Sequence, residues 1–303
     1  MSRQTTVRSP VELEGVSLHH GGPVRLQIRP APPHTGLVFV REDRGGADVP
    51  ALQQFRAPML HATRIEREGL TVDTPEHLLA ALFALGVDNA WLHLNGPEVP
   101  ILDGSALPFA YALRDVGLET QSAPRAELAI TRPVAVGDED RRLEIHPSDR
   151  LRLTAGIDFE HRHLGYQELT VELDDPEDFL RKLAPARTFA LASDVDKLRR
   201  AGLVRGGSLD NAVVVGDDGV VGGELRFADE FVRHKLLDLV GDLALMGCRL
   251  RGRVIAWRAG HELHGRLVDA ILADPSAWIY EASPGGPEMP RARPTPPSRL
   301  RAG

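Results

Sequence analysis

Residues 229–246, DEFVRHKLLDLVGDLALM, decide how this chain folds. The pattern predicts a single helix that ends at Gly247, since glycine commonly follows the last turn of a helix. Apolar side chains cover most of its circumference, so the helix should be buried among other elements. His234, Asp238 and Asp242 are nevertheless spaced four residues apart, which places all three on one stripe of the helix.

The polar stripe is open to three interpretations when the helix is considered alone. Buried carboxylates are costly unless they are paired or bind a metal, and a His and an Asp one turn apart suit zinc. A metal-free acid-base pair is one alternative, and a solvated helix face or a hydrogen-bonded His–Asp pair without a function is the other. A third metal ligand would have to come from elsewhere in the chain.

A second stretch, Thr74-Pro75-Glu76-His77, favours the metal site. Thr74 predicts an N-cap and Pro75 the first residue of an apolar helix that ends at Gly86. Glu76 and His77 fall in its first turn, where side chains can point into a cleft. A zinc hydrolase needs this combination, because a His binds the metal and a carboxylate takes a proton from the activated water. A simpler interpretation is that Glu76 only complements the helix dipole, but that interpretation does not account for His77.

Composition restricts the class of protein. The chain has 303 residues, 42% hydrophobic and 26% charged, which is ordinary for one large globular domain or two medium ones. A formal charge of -7 argues against nucleic-acid binding as the main task. Cys248 is the single cysteine, so no disulfide framework is possible. We find no signal peptide and no apolar run approaching ~18 residues, so we expect a cytoplasmic protein without a transmembrane segment.

The order of predicted elements is similar in the two halves of the chain. Each half contains several alternating strands and two main helices. Residues 121–125 are polar, contain a proline and lack periodicity, so we expect a linker there. The predicted domains are residues 1–122 and 126–283. The tail, residues 284–303, is rich in proline and arginine without periodicity, and we expect it to be disordered.

Short motifs follow one another in a fixed order between Val11 and Tyr280. They are GVSLH at 15–19, EHL at 76–78, DN at 88–89, PEVPILDGS at 97–105, ARTF at 186–189, GGS at 206–208, DEFVRHK at 229–235, DLVGD at 238–242 and GH at 260–261. With these motifs the chain resembles the UDP-3-O-acyl-N-acetylglucosamine deacetylase family, zinc enzymes that commit Gram-negative bacteria to lipid A synthesis. The resemblance implies two similar α+β domains, each a β-sheet packed on two helices, with the helices facing each other across the active site.

The resemblance also implies a metal site and a catalytic set. His77, His234 and Asp238 match the zinc ligands, and Fe²⁺ can substitute for Zn²⁺ because sites with two His and one Asp accept either ion. The catalytic matches are Glu76 as general base, His261 as general acid, Thr188 as a hydroxyl that helps zinc hold the oxyanion, Asp242 as the carboxylate that orients His261, and Lys235 as a lysine near polar groups of the substrate.

The implied reaction is zinc-dependent hydrolysis of the N-acetyl group of UDP-3-O-acyl-N-acetylglucosamine, with release of acetate. A metal-bound water attacks the acetamide carbonyl while Glu76 removes its proton. Zinc and Thr188 stabilise the negative oxygen that forms. His261 protonates the leaving amine, and Asp242 would hold His261 cationic by raising its pKa.

Phe159, Phe189 and Lys235 are the predicted substrate contacts. Phe159 falls where the family has an aromatic residue near the uridine, although a position in a core strand explains it equally well. The segment 191–204 is the candidate passage for the acyl chain, and an ordinary amphipathic helix explains that segment equally well. His146 lies where a lysine sometimes contacts the diphosphate. Six further histidines are interpreted as surface or packing residues, with His19 and His61 near the cleft. The other four are His20, His161, His163 and His264.

Two rival functions follow from the same residues. A non-catalytic relative that senses a nucleotide sugar or a metal would normally lack at least one acid-base group, and none is missing here. A zinc amidase that acts on another acylated amino sugar stays open, because specificity depends on the pocket walls. We expect a small UDP-acyl-amino-sugar as the partner of this protein, and no binding of nucleic acid. We further expect a monomer with transient proximity to a membrane surface.

Overall fold

The computed structural model describes residues 2–173 and 175–281, so the predicted tail at 284–303 lies outside the described residues. The N-terminal half contains two helices, α1 (Glu76–Leu85) and α2 (Leu107–Val116). Its strands are β1 (Arg3–Val7), β2 (Val11–Val16), β3 (Pro23–Pro30), β4 (Leu37–Arg41), β5 (Ala47–Pro50), β6 (Arg56–Ala57), β7 (Arg64–Arg67), β8 (Leu70–Asp73), β9 (Ala90–Leu94) and β10 (Leu118–Pro124).

The C-terminal half contains four helices, α3 (Pro176–Lys182), α4 (Ala192–Arg200), α5 (Glu230–Leu243) and α6 (His261–Ala273). Its strands are β11 (Glu127–Ile130), β12 (Val134–Gly137), β13 (Arg142–His146), β14 (Leu151–Phe159), β15 (Gly165–Glu172), β16 (Phe189–Leu191), β17 (Val213–Gly216), β18 (Gly219–Val221), β19 (Arg249–Trp257) and β20 (Trp278–Glu281).

Alternation of apolar and polar residues builds the main sheet of the N-terminal half. In β3, the side chains of Val24, Leu26 and Ile28 are buried, whereas Arg25 between them is exposed. A strand with one face on the core has this period of two residues. The sheet has the order β2-β3-β9-β4-β5, and its β4 and β9 are parallel. A smaller sheet of β6, β7 and β8 precedes α1.

The main sheet of the C-terminal half is organised around β19. Strands β14 and β11 both pair with β19 in parallel, and β13 pairs with it antiparallel. The strands β12, β15 and β20 complete the seven-stranded sheet. A separate three-stranded sheet of β16, β17 and β18 belongs to the segment between β15 and α5.

The two halves repeat one arrangement. In the first, α1 lies on the connection between the parallel strands β4 and β9, and α2 follows β9. In the second, α5 lies on the connection between the parallel strands β14 and β19, and α6 follows β19. Helix α1 packs on α2 and α5 packs on α6, while α1 and α5 pack on each other. The predicted α+β fold of two similar halves with facing helices is confirmed.

The central helices are buried on nearly every side, which explains their apolar sequences. Every residue of α1 except Ala84 is buried, and α5 exposes only Arg233 and Lys235 even in part. Helix α5 ends at Leu243 and a short 3₁₀ turn, Ala244–Met246, follows it, so the helical stretch stops at Gly247 as predicted. No helix within residues 2–173 and 175–281 has both the length and the apolar character needed to cross a membrane.

The structure differs from the sequence predictions in two places near these helices. Thr74 does not cap α1, because it has a left-handed φ of 55° and its hydroxyl donates to the buried Glu98 at 2.9 Å. A carboxylate is a stronger hydrogen-bond acceptor than a neutral oxygen, so the Thr74 hydroxyl points to Glu98 and away from the N–H groups of the helix. The predicted linker at 121–125 is also largely regular, since β10 pairs with β1 up to Pro124. The boundary between domains there stays a prediction.

Candidate active site

Two helices from different halves bring together three side chains that could bind a metal ion. His77 lies in the first turn of α1, and His234 and Asp238 lie on α5. All three residues are buried, and one donor atom from each lies within 4.8 Å of the others. The Nε2 atoms of His77 and His234 are 3.6 Å and 3.3 Å from the same Asp238 oxygen. The structure thus brings the three predicted ligands to one point.

The chemistry of these three side chains suits a metal ion. The Nδ1–H of His234 donates to the carbonyl of Ala186 at 3.1 Å, which leaves Nε2 free to bind. Burial lowers the pKa of His234 to about 3, so its ring is neutral. Burial alone would raise the pKa of Asp238, but the neighbouring Lys235 outweighs burial and holds it well below its usual value. Neutral imidazole and ionised carboxylate are the ligand forms that zinc and ferrous iron bind.

Gly241 sets how closely the two ligand-bearing helices approach. A Cβ at this position of α5 would lie 2.0 Å from the carbonyl oxygen of Glu76, and the next nearest atoms also belong to the backbone of Glu76. No side-chain rotation can relieve such a contact. The glycine in the DLVGD motif therefore allows α5 to cross the first turn of α1 at van der Waals distance.

Glu76 lies beside His77 and is 2% exposed. Its Oε2 accepts the backbone N–H of Thr63 at 3.3 Å. Burial raises the pKa of Glu76 to about 7, against the opposing influence of His261 and His77. A carboxyl group that titrates near neutral pH can take up a proton and release it again, which is the behaviour of a general base.

Asp242 holds two histidines of α6. Its Oδ2 accepts from His261 Nδ1 at 2.8 Å and from His264 Nδ1 at 2.7 Å. Burial alone would lower the pKa of His261, but the charge of Asp242 and the hydrogen bond to it raise this pKa to about 9. Burial likewise opposes ionisation of Asp242, yet His261 and His264 hold its pKa well below the usual range. His261 is therefore cationic at neutral pH and has a proton to donate.

Lys235 links the metal-binding side chains to a neighbouring cavity. Its Nζ donates to Asp238 Oδ2 at 2.7 Å and lies 5.5 Å from the centre of the Phe189 ring. Phe189 in turn meets Phe159 edge to face, with ring centres 5.8 Å apart. These residues and Thr188 line a cavity of about 330 Å³. The four residues predicted for substrate and oxyanion contacts thus share one cavity.

Thr188 is held in place by a motif from the N-terminal half. Its backbone N–H donates to the carbonyl of Gly104 at 2.8 Å. Gly104 has a φ of +83°, and a Cβ there would lie 2.1 Å from the carbonyl oxygen of Asn211, so only glycine fits. The neighbouring Arg187 donates to the fully buried Glu230 on α5 at 2.9 Å. The contact between Thr188 and Gly104 thus joins the PEVPILDGS segment to the ARTF segment.

The cavity also receives the residues expected near the cleft. His19 and His61 both contribute to its wall, as predicted. The segment 191–204 supplies further apolar lining through Leu191, Val195 and Leu198. His146 lies on β13 with its Nε2 3.3 Å from Glu144, and its contact with a diphosphate stays a prediction.

Two residues that the sequence did not indicate complete the site. Thr63 is 1% exposed, and its hydroxyl donates to Asp242 Oδ1 at 2.5 Å. His264, expected at the surface or in ordinary packing, is instead buried against Asp242. Its spacing of three residues from His261 was the one available signal, since such residues share a helix face. Thr63 offered no signal, because it precedes β7 in a segment without periodicity.

Comparison with known proteins gives the family. A family model described as UDP-3-O-acyl N-acetylglycosamine deacetylase matches residues 4–273. The UDP-3-O-acyl-N-acetylglucosamine deacetylase of Myxococcus xanthus (strain DK1622) is 44% identical over 277 residues, which cover 91% of this chain and 88% of the relative. That of Solibacter usitatus (strain Ellin6076) is 44% identical over 282 residues, covering 93% and 94%. That of Histophilus somni (strain 129Pt) is 38% identical over 300 residues, covering 98% of each. The chain therefore belongs to the UDP-3-O-acyl N-acetylglycosamine deacetylase family.

Proposed function

We propose that this protein hydrolyses the N-acetyl group of UDP-3-O-acyl-N-acetylglucosamine, which releases acetate and leaves a free amine in lipid A biosynthesis. One observation carries the proposal: three metal-binding side chains meet a carboxyl group of raised pKa and a cationic histidine in a single buried site. The names of relatives that match nearly the whole chain support the same substrate.

The proposed cofactor is Zn²⁺, held by His77, His234 and Asp238, with Fe²⁺ as a substitute. When bound, the ion supplies a Lewis acid that polarises a carbonyl oxygen and makes water more acidic. The donor set supports this assignment, because it combines two imidazole nitrogens with one ionised carboxylate. Lys235 donates a hydrogen bond to the second oxygen of Asp238 and would also contact polar groups of the substrate.

The proton transfers fall to Glu76 and His261. As the oxygen of water bonds to the acetamide carbon, Glu76 accepts the proton that the water loses. The hydroxyl of Thr188 donates a hydrogen bond to the carbonyl oxygen as that oxygen gains negative charge. The carbon–nitrogen bond then breaks, and His261 delivers its proton to the amine nitrogen. Asp242 keeps His261 cationic and oriented until this step.

The cavity beside the metal-binding side chains would take the rest of the substrate. Phe159, Phe189 and Lys235 line the part that we assign to the sugar nucleotide. Leu191, Val195 and Leu198 line the part that we assign to the acyl chain, since apolar walls favour burial of methylene groups. Such a substrate explains why a protein without a membrane-spanning helix among its described residues would approach a membrane surface transiently. We place the protein in the cytoplasm as a monomer.

The decisive assay is acetate release from a series of UDP-3-O-acyl-N-acetylglucosamines by protein reconstituted with Zn²⁺ or Fe²⁺. We expect one metal ion per chain and one acetate for each free amine formed. The Glu76→Gln variant, which keeps the shape of the side chain, serves as the inactive control with metal bound. Metal-loaded protein that releases no acetate from any member of the series would refute the proposal, and equal rates on acylated amino sugars without UDP would refute the substrate.

A further inference from the structure

Thr63 contacts both sides of the proposed proton-transfer site. Its backbone N–H lies 3.3 Å from Glu76 Oε2, and its hydroxyl lies 2.5 Å from Asp242 Oδ1. The same hydroxyl oxygen is 3.3 Å from His261 Nδ1. A single residue that is 1% exposed thus touches the proposed general base, the proposed general acid and the carboxylate that orients the acid.

The direction of the hydrogen bonds follows from the chemistry of Asp242. An ionised carboxylate only accepts hydrogen bonds, so the single hydroxyl proton of Thr63 must point to Oδ1. The Oδ2 atom accepts from the Nδ1–H groups of His261 and His264. Three donors therefore fix the rotamer of Asp242. With Nδ1 of His261 committed to Asp242, the proton on Nε2 is the one that can be given away.

His264 donates to the same carboxylate as Thr63, but to its other oxygen. It lies one helical turn after His261 on α6, is 1% exposed, and burial lowers its pKa. Its neutral ring donates to Asp242 through Nδ1 at 2.7 Å. The two histidines of α6 thus share one oxygen, and the second one acts on the first only through Asp242.

Thr63 also ties together residues from the two halves of the chain. It directly precedes β7, and its carbonyl accepts the N–H of Thr74 at 2.9 Å, next to the start of α1. Asp242 and His261 belong to α5 and α6. The Thr63 hydroxyl therefore sets the position of the donor pair relative to Glu76.

We infer that Thr63 is a positioning residue that aligns Glu76 with the Asp242–His261 pair, and that His264 is a second positioning residue for that pair. The inference rests on the proposed function, because it assigns both residues to the proton transfers of that reaction. Neither residue touches the reacting atoms in this assignment. The loss of a hydrogen bond to a buried charged group corresponds to about 10- to 100-fold in rate.

Paired variants separate positioning from packing. Thr63→Val removes the hydroxyl and keeps the branched shape, whereas Thr63→Ser keeps the hydroxyl. His264→Leu removes the donor, whereas His264→Asn keeps an N–H at the position of Nδ1. We expect Thr63→Val and His264→Leu to lower kcat by about 10- to 100-fold with KM and zinc content unchanged. Thr63→Ser and His264→Asn should recover most of that loss.

Equal kcat values for the two members of each pair would overturn the inference, as would a loss confined to KM. If Thr63→Val fails to fold, Thr63→Ala takes its place in the comparison with Thr63→Ser, and the His264 pair is read independently. A second readout does not depend on turnover: the proton resonance of His261 Nδ1 in ¹⁵N-histidine-labelled, zinc-loaded protein. We expect it to move in Thr63→Val and to return in Thr63→Ser. An unmoved resonance would refute the alignment, even if the wild-type protein proved inactive on the proposed substrate.

Discussion

A methyl group added at Gly241 would push apart the two helices that carry the metal-binding side chains. In Gly241→Ala the new Cβ would start 2.0 Å from the carbonyl oxygen of Glu76 and 2.7 Å from its carbonyl carbon. Both partners are backbone atoms of helices, so no rotamer change can relieve the contact. The helices must separate, or one must rotate.

The size of the displacement can be worked out from these distances. An ordinary van der Waals contact to a Cβ begins near 3.4 Å, so the two backbones must move apart by about 1.4 Å along this line. Metal sites tolerate errors of only about 0.2 Å in ligand distance. His77 follows Glu76 directly and Asp238 precedes Gly241 by three residues, so the displacement reaches the ligands almost undiminished. Overpacking of this kind also costs about 1–3 kcal/mol of stability.

The measurement is zinc affinity by competition with a chelator, together with the melting temperature of the metal-free protein. We expect Gly241→Ala to bind zinc about 10- to 100-fold more weakly and to melt at a lower temperature. Gly96→Ala is the matched control, because a Cβ there meets nothing within 4 Å. Wild-type zinc affinity and melting temperature in Gly241→Ala would show that this contact does not set the geometry of the site.

Three further changes test other parts of the site. Glu76→Gln should keep its zinc and lose about 10²- to 10⁴-fold in kcat, and near-wild-type turnover would remove its role as base. In the wild type, kcat/KM should rise with pH as Glu76, whose pKa is about 7, loses its proton. It should fall again as His261, whose pKa is about 9, loses its proton, and a bound cation would lower both pKa values. Asp242→Asn removes the charge that keeps His261 protonated, so the falling limb should move to lower pH; an unshifted limb would contradict this pairing. Glu98→Gln replaces one of the two carboxylate oxygens that accept the N–H groups of His19 and His20, so urea unfolding should show about 1–3 kcal/mol less stability. An unchanged midpoint would show that these hydrogen bonds do not stabilise the fold.

The sequence predicted the elements that obey a simple period. The stripe of His234, Asp238 and Asp242 could be found because residues four apart share a face of an α-helix, and the apolar residues around it required burial. Glu76 and His77 could be assigned to a first helical turn because Pro75 and Gly86 mark the ends of α1. Such arguments need only local chain geometry, which is why they also gave the order of elements in both halves.

Local arguments failed where a distant acceptor competes for a side chain. Thr74 has the right identity and position for an N-cap, but Glu98 lies close enough in the fold to take its hydroxyl. Thr63 could not be found at all, since its three contacts are 13, 179 and 198 residues away in sequence. The strand pairing of residues near 121–124 likewise depends on β1, more than a hundred residues earlier.

The placement of the three proposed metal ligands on helices from separate halves would make a bound ion a cross-link in the thermodynamic sense. One ligand belongs to α1 and two to α5, so tight binding requires both sheets to be folded and docked. An ion at 1,000 times its dissociation constant stabilises the docked state by about 4.1 kcal/mol. On the proposed function, depletion of the metal would therefore destabilise the docked halves as well as abolish the chemistry.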